Sequence, residues 1–395
     1  MTSGSQRRWE AVLLVLLVCL PGQAGGQQTS RSESDVLRQA KELQLNLVYD
    51  EAEKRLRTYL EIQPDGLPAL NLLATVILYR EMFQRGLLES QLYGNKGEIF
   101  KPKQEPLSAE FQQSLLATLD RARTAAEARL KNDPKDKDAM YWAGVAHGTR
   151  ATFEFTLRRA WVAALHEAKD ATRYHRDLMK LDPSYVDAQL IVGINDYVVG
   201  SLPWYIKVLA ALAGAHGDRT GGLAMVEHVA ESGNYAREDA RFMLDVLYQR
   251  EKRLQDALAI VQPMAQQYPR NFLLRMELAS LYRELKESRK ASEVYDGLAG
   301  KYQSGEVPKL PAAKVMWLAG QAHEALDERD KALQMYEQAG GIGSGAPFNY
   351  RALLAAGHLY TQMNRQDDAR RKYQQVAQAT PESEEGKLAK KALKR

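Results

Sequence analysis

The sequence is poor in the features that announce chemistry. It has one cysteine in 395 residues, Cys19, so neither a disulfide framework nor a thiolate zinc site can be built. Seven histidines lie singly, with no His-Glu-x-x-His pair to hold a zinc ion. No Gly-x-Ser-x-Gly elbow and no Gly-x4-Gly-Lys-Ser/Thr loop occurs, which removes the usual scaffolds for an activated serine and for a nucleotide phosphate. The longest apolar run, Ala11 to Leu20, has ten residues, whereas a bilayer span needs roughly 20. The formal net charge is only +4 and is mixed along the chain, which argues against a nucleic-acid partner. No asparagine begins an Asn-X-Ser/Thr glycosylation acceptor. No cofactor is expected.

The N-terminus has the grammar of a secretory leader. Arg7 and Arg8 precede the apolar run, and Gly22 and Ala24 provide small residues for cleavage. The surroundings of the arginine pair do not fit a twin-arginine signal, and Val18 before Cys19 does not fit a lipoprotein box. Residues 1–24 are therefore expected to be a signal peptide cleaved near Ala24, giving a periplasmic or secreted chain of 371 residues with no transmembrane segment. The leader holds Arg7, Arg8 and Glu10, so its removal lowers the net charge from +4 to +3.

What the sequence does contain is repetition. The last copy reads Leu353-x2-Ala356-Gly357-x2-Tyr360-x8-Ala369-x3-Tyr373-x2-Val376-x4-Pro381. Tyr282-x8-Ala291-x3-Tyr295 follows Tyr248-x8-Ala257 by 34 residues, and Gly320-x2-His323-x8-Ala332-x3-Tyr336 is a further copy. Small residues let two helices approach, rings fill the space beside them, and the proline ends the second helix. Upstream, Ala52 with Pro64, Ala122 with Pro134 and Ala171 with Pro183 keep a worn version of the second helix. This pattern resembles the tetratricopeptide repeat. The resemblance implies an all-α fold, a right-handed α-solenoid of tetratricopeptide-like helical hairpins with an inserted hairpin. Degenerate repeats are expected over 33–200 with a loop insertion at 81–106, the hairpin over 201–233, regular repeats over 236–381, and a C-terminal capping helix over 382–395 begun by Thr380 and Pro381.

Two stretches imitate catalytic motifs. His175 to Asp182, "HRDLMKLD", looks like a kinase catalytic loop, but Asp182 stands where the metal-binding asparagine belongs and the companion motifs are missing. Gly341 to Ala346, "GIGSGA", echoes a dinucleotide fingerprint, yet it follows a helical pattern and precedes Pro347. The stretch 201–222, "SLPWYIKVLAALAGAHGDRTGG", is too short and too interrupted by Lys207 to span a membrane. Its run from Leu-Pro to Gly-Asp-Arg and Gly-Leu resembles a junction in the tetratricopeptide-39 and inclusion-body-clearance proteins. The spacing predicts two helices, the second starting after Asp218 and burying Leu223, Val226 and Ala230. Gly221 and Gly222 near its start imply a close approach by another backbone or, with Arg219, an anion held at the helix N-terminus.

In the tetratricopeptide family the first helix of each repeat lines a concave groove that takes the ligand. Carried over by position, the groove candidates are Asp239, Phe242, Met243 and Arg250; Met276, Glu277, Ser280 and Arg283; Trp317, Leu318 and Gln321; Arg351, Leu354 and His358. Phe242, Met276, Trp317 and Leu354 occupy a key place of the lysine-asparagine clamp that some members use for a terminal carboxylate, so chaperone-tail binding is not expected. Apolar anchors mixed with arginines suit an extended peptide or a partner helix. The expected function is a non-enzymatic scaffold or adaptor with a protein or peptide in the groove. The alternatives are a peripheral membrane or lipid-binding repeat protein and an enzyme with an unrecognised site.

Overall fold

A proline restricts the residue before it to extended backbone, so an Xaa-Pro pair stops a helix one residue early. Five such pairs act this way in the computed structural model, which describes residues 24–89, 105–201, 217–343 and 347–394. Gln63, Asp133, Asp182, Tyr268 and Thr380 each leave the helical region just before their prolines; Asp133, for instance, has φ −134° and ψ 98°. The helices they end bury the alanines Ala52, Ala122, Ala171, Ala257 and Ala369. There is no strand among the described residues.

The chain divides into two units, one of residues 1–87 with 103–218 and the other of residues 88–102 with 219–395. The first unit contains α1 (Ala24–Leu45), α2 (Tyr49–Ile62), α3 (Leu67–Gln84), α4 (Ala109–Asn132), α5 (Lys137–Thr156), α6 (Trp161–Leu181), a 3₁₀ turn (Val186–Ala188) and α7 (Gln189–Gly200). The second contains α8 (Arg219–Ser232), α9 (Arg237–Arg250), α10 (Leu254–Gln267), α11 (Phe272–Glu284), α12 (Ser288–Gln303), α13 (Ala312–Glu324), α14 (Arg329–Gly341), α15 (Pro347–Gln362), α16 (Gln366–Ala379) and α17 (Glu384–Ala392). Within each unit every helix packs on the next in sequence, and alternate helices such as α3 and α5, or α13 and α15, also touch. This is the stacking of tetratricopeptide-like hairpins.

The turns inside the hairpins share one device that contains no glycine. Leu47, Lys252, Lys286, Asp327 and Asn364 all take left-handed backbone, with φ between 57° and 62°. After each, the next amide donates to a carbonyl five residues back, as in Arg253 N to Tyr248 O at 2.8 Å and Arg365 N to Tyr360 O at 2.9 Å. That bond closes the end of the first helix in the manner of a Schellman cap.

Glycines appear instead where helices meet. A Cβ on Gly357 would lie 2.5 Å from the Tyr373 ring, and one on Gly320 would lie 2.5 Å from the Tyr336 ring. In the worn repeats the same contact is made by Gly144 against the ring of His175. His175 is buried, stacks on Tyr141 at 5.3 Å between ring centres, and has its acidity shifted to about 4 by burial. The kinase-like stretch is thus a packing residue on α6.

Some expectations change in detail. The capping helix starts at Glu384, with the Ser383 hydroxyl accepting from Gly386 N at 2.9 Å. Thr380 instead finishes α16, donating its hydroxyl to Val376 O, so it cannot begin the next helix. The second helix of the inserted hairpin is α8, which buries Gly222, Val226, Val229 and Ala230, with Leu223 half-buried. The first helix expected there, and most of the 81–106 insertion, lie outside the described residues, as do the leader residues 1–23. A close approach occurs two residues before α8: a Cβ on Gly217 would lie 2.6 Å from Val199 Cβ and 2.8 Å from Asp196 O, against the end of α7. Gly341 ends α14, so no βα turn surrounds the "GIGSGA" stretch. No helix among the described residues is long and apolar enough to cross a membrane.

Candidate functional site

The first helices of the second unit are α9, α11, α13 and α15, and the position three residues before their Tyr or His anchor holds Asp245, Ala279, Gly320 and Gly357 in turn. The anchors Tyr248, Tyr282, His323 and Tyr360 are all buried. Three of them are hydrogen-bonded to their surroundings: Tyr248 donates to Glu227 at 2.8 Å and Tyr360 to Glu337 at 2.9 Å. His323 replaces tyrosine and makes two ties, Nδ1 with Glu328 at 2.7 Å and Nε2 with Asp296 at 3.0 Å. Glu328 is held down at about 2 by Arg289 first and His323 second. These bonds hold the roll of α9, α13 and α15, and with it the face carrying their groove candidates.

The candidates divide by burial. Met276, Glu277, Ser280, Leu318 and Leu354 are buried. Glu277 accepts from the Gln249 amide at 2.9 Å, and the same amide donates to Asp245 at 2.8 Å. Glu277 is therefore tied across to α9 through Gln249, and Met276 is buried beside it. Asp239, Phe242, Met243, Arg283, Trp317 and Gln321 are half-buried, and Arg250, Arg351 and His358 are exposed. Arg283 on α11 donates to Gln321 on α13 at 3.3 Å, a bond between successive first helices. The His358 ring lies 5.6 Å from that of Tyr373.

The candidates on α13 and α15 converge on a residue the sequence reading passed over. Phe348, at the start of α15, has the Trp317 ring 5.4 Å away, the Arg351 guanidinium 5.2 Å from its centre and the Lys314 ammonium 5.7 Å from it. Arg351 also pairs with Glu385 of α17 at 2.9 Å. Burial works against ionisation of Glu385, but Arg351 and nearby donors outweigh it and hold the carboxyl below its ordinary value. Lys314 forms an ion pair with Glu89, a residue of the second unit that lies outside its helices. The signal for Lys314 was present in the sequence. It stands nine residues before His323, as Asp239 stands before Tyr248 and Arg351 before Tyr360. Phe348 sat next to the glycine-rich stretch and gave no periodic signal.

The anion reading at α8 meets a carboxylate. Arg219 Nε donates to Glu251 at 2.8 Å, and the two groups pair through their second atoms as well. The guanidinium charge is thus met within the chain, and Gly222 is buried.

No protein-family model matches the chain, and no curated protein sequence matches it. Solved structures do. PilW, described as a widely conserved type IV pilus biogenesis factor, is similar at 16% identity and TM-score 0.40, over 61% of this chain and 94% of PilW. PilF of Pseudomonas aeruginosa is similar at 16% identity and TM-score 0.37, over 66% of this chain and all of PilF. Human IFIT1, solved as a dimer with m7Gppp-AAAA, is similar at 15% identity and TM-score 0.37, over 90% of this chain and 78% of IFIT1. The paired helices, the glycine-to-ring contacts and the proline-ended second helices give this chain an all-α fold of stacked tetratricopeptide-like hairpins.

Proposed function

We propose that the chain is a secreted or periplasmic scaffold that holds an extended segment of another protein on the first-helix face of its second unit. The observation behind this is the Lys314–Glu89 pair beside Phe348, Trp317 and Arg351. A carboxylate from outside the helices already rests on this face, next to an aromatic platform with cations at its edge. A partner segment carrying an acidic residue and an aromatic or apolar neighbour would displace Glu89 from Lys314 and find a ring to pack on. Trp317, Gln321, Arg283 and His358 extend the same face, and Asp239, Phe242 and Arg250 continue it on α9. Arg351 is shared with Glu385, so it orients a ligand more than it anchors one. The role is binding without turnover.

Selection of a displayed peptide library on the full chain tests this. Peptides enriched on the wild type should carry an acidic residue near an aromatic one, and should fail to bind Lys314→Glu with Arg351→Glu. Enrichment that survives the double substitution would remove this face from consideration. N-terminal sequencing of the exported protein tests the location, with a start near Gly25 expected and a start at Met1 contradicting it.

A further inference from the structure

The described residues include nine large apolar side chains left exposed, and four of them sit within one short stretch: Phe155, Trp161, Val162 and Leu165. Val162 and Leu165 are each 69% exposed and Trp161 is 47% exposed, on the first turn and a half of α6. The Phe155 and Trp161 rings meet edge to face at 5.1 Å, which joins the end of α5 to the start of α6 as one apolar edge. Monomeric proteins seldom leave such residues together without a use.

Around this edge the cations outnumber the carboxylates, with Arg150, Arg158, Arg159, Lys169 and Arg173 against Glu154, Glu167 and Asp170. Arg158, Lys169 and Arg173 surround or follow the apolar residues, with Lys169 continuing the exposed face of α6. The nearby carboxylates are engaged by the chain itself. Glu154 is buried and holds Arg150 at 2.7 Å and Arg158 at 3.2 Å, Glu167 pairs with His147 at 2.6 Å, and Asp170 pairs with Arg173 at 3.3 Å. An apolar edge with a tryptophan and a cationic flank complements a layer of anionic headgroups over acyl chains.

We propose that the α5–α6 edge is a docking surface for an anionic lipid membrane, separate from the peptide-holding face. Val162 and Leu165 enter the acyl boundary, Trp161 lies at headgroup depth, and Lys169 meets the phosphates. The stripe is too short to span, so the attachment is peripheral and reversible.

Co-sedimentation of the full chain with vesicles tests the proposal, using phosphatidylcholine alone or mixed with phosphatidylglycerol. The wild type should sediment with the mixed vesicles and much less with phosphatidylcholine, and added salt should weaken it. Val162→Glu with Leu165→Glu should lower the partitioning by roughly tenfold or more, while Ile62→Glu, an exposed apolar residue elsewhere, should leave it unchanged. The double variant should melt like the wild type, since both side chains are exposed. Absence of wild-type binding, or equal binding by the double variant, would overturn the proposal. So would a lowered melting temperature in the double variant, which would mean the edge is covered within the chain. A wild-type dimer that the double variant dissociates, without vesicle binding, would assign the edge to a second copy instead.

Discussion

Replacing Gly320 by alanine sets two known effects against each other at one residue. The new Cβ would lie 2.5 Å from Tyr336 Cδ1 and 2.9 Å from Cζ, where apolar carbons ordinarily sit about 3.5–4.0 Å apart. The ring must therefore retreat by about 1 Å. It has little room: Tyr336 is fully buried, and its hydroxyl donates to Glu324 at 2.8 Å. Overpacking of this kind costs about 1–3 kcal/mol, and the tight fit places Gly320→Ala toward the upper end. Alanine returns about 1 kcal/mol through its helix propensity. The net loss should be about 1–2 kcal/mol in urea denaturation. Gly297→Ala is the matched control, because Gly297 lies inside α12 and its Cβ would meet nothing within 4 Å. It should gain up to about 1 kcal/mol from propensity alone. In a Tyr336→Ala background the Gly320→Ala penalty should disappear. Equal shifts for Gly320→Ala and Gly297→Ala, or a penalty that persists without the tyrosine ring, would refute the reasoning.

Three further outcomes follow from individual residues. His175 titrates near about 4 when folded, against 6.5 ordinarily, because burial disfavours its charged form; the unfolded chain takes up a proton the folded one refuses, so stability falls as pH drops from 6.5 toward 4. His175→Phe should remove up to ~3 kcal/mol of that pH dependence, read as the difference between the two proteins in urea denaturation across this range. Ser383→Ala should cost about 1 kcal/mol and raise amide exchange in α17, since the Ser383 hydroxyl caps that helix. Phosphate should leave the wild-type melting temperature unchanged, because Glu251 already satisfies Arg219; a phosphate-dependent rise that vanishes in Arg219→Ala would restore the anion reading at α8.

The fold was legible where packing imposes a spacing. Gly357, Tyr360, Ala369, Tyr373 and Pro381 each do one geometric job, and the sequence repeats those jobs at fixed intervals. The worn repeats were readable through Xaa-Pro stops, which act locally and do not depend on neighbours. The hairpin turns were not readable in detail, because Leu47, Lys252 and Lys286 take the left-handed conformation without the glycine that usually marks it. Cap assignment failed at Thr380 because a residue before proline can also finish the previous helix, as its bond to Val376 O does. Position along a first helix singled out Trp317 and Arg351, which lie against Phe348, but could not distinguish a buried residue such as Met276 from an exposed one such as Arg351. Glu89 carried no signal, since its partner Lys314 lies 225 residues away in sequence.

The claim that the first-helix face of the second unit holds the partner can be tested by placing a photo-crosslinking amino acid at Trp317 and, separately, at Gln334, which is exposed on the second helix α14. Irradiation in a native envelope extract should give a discrete adduct from position 317 and little from position 334. A peptide selected on the wild type should compete the adduct away, and Lys314→Glu should abolish it. Adducts of equal strength from both positions, or an adduct from position 317 that neither the peptide nor Lys314→Glu affects, would contradict the account.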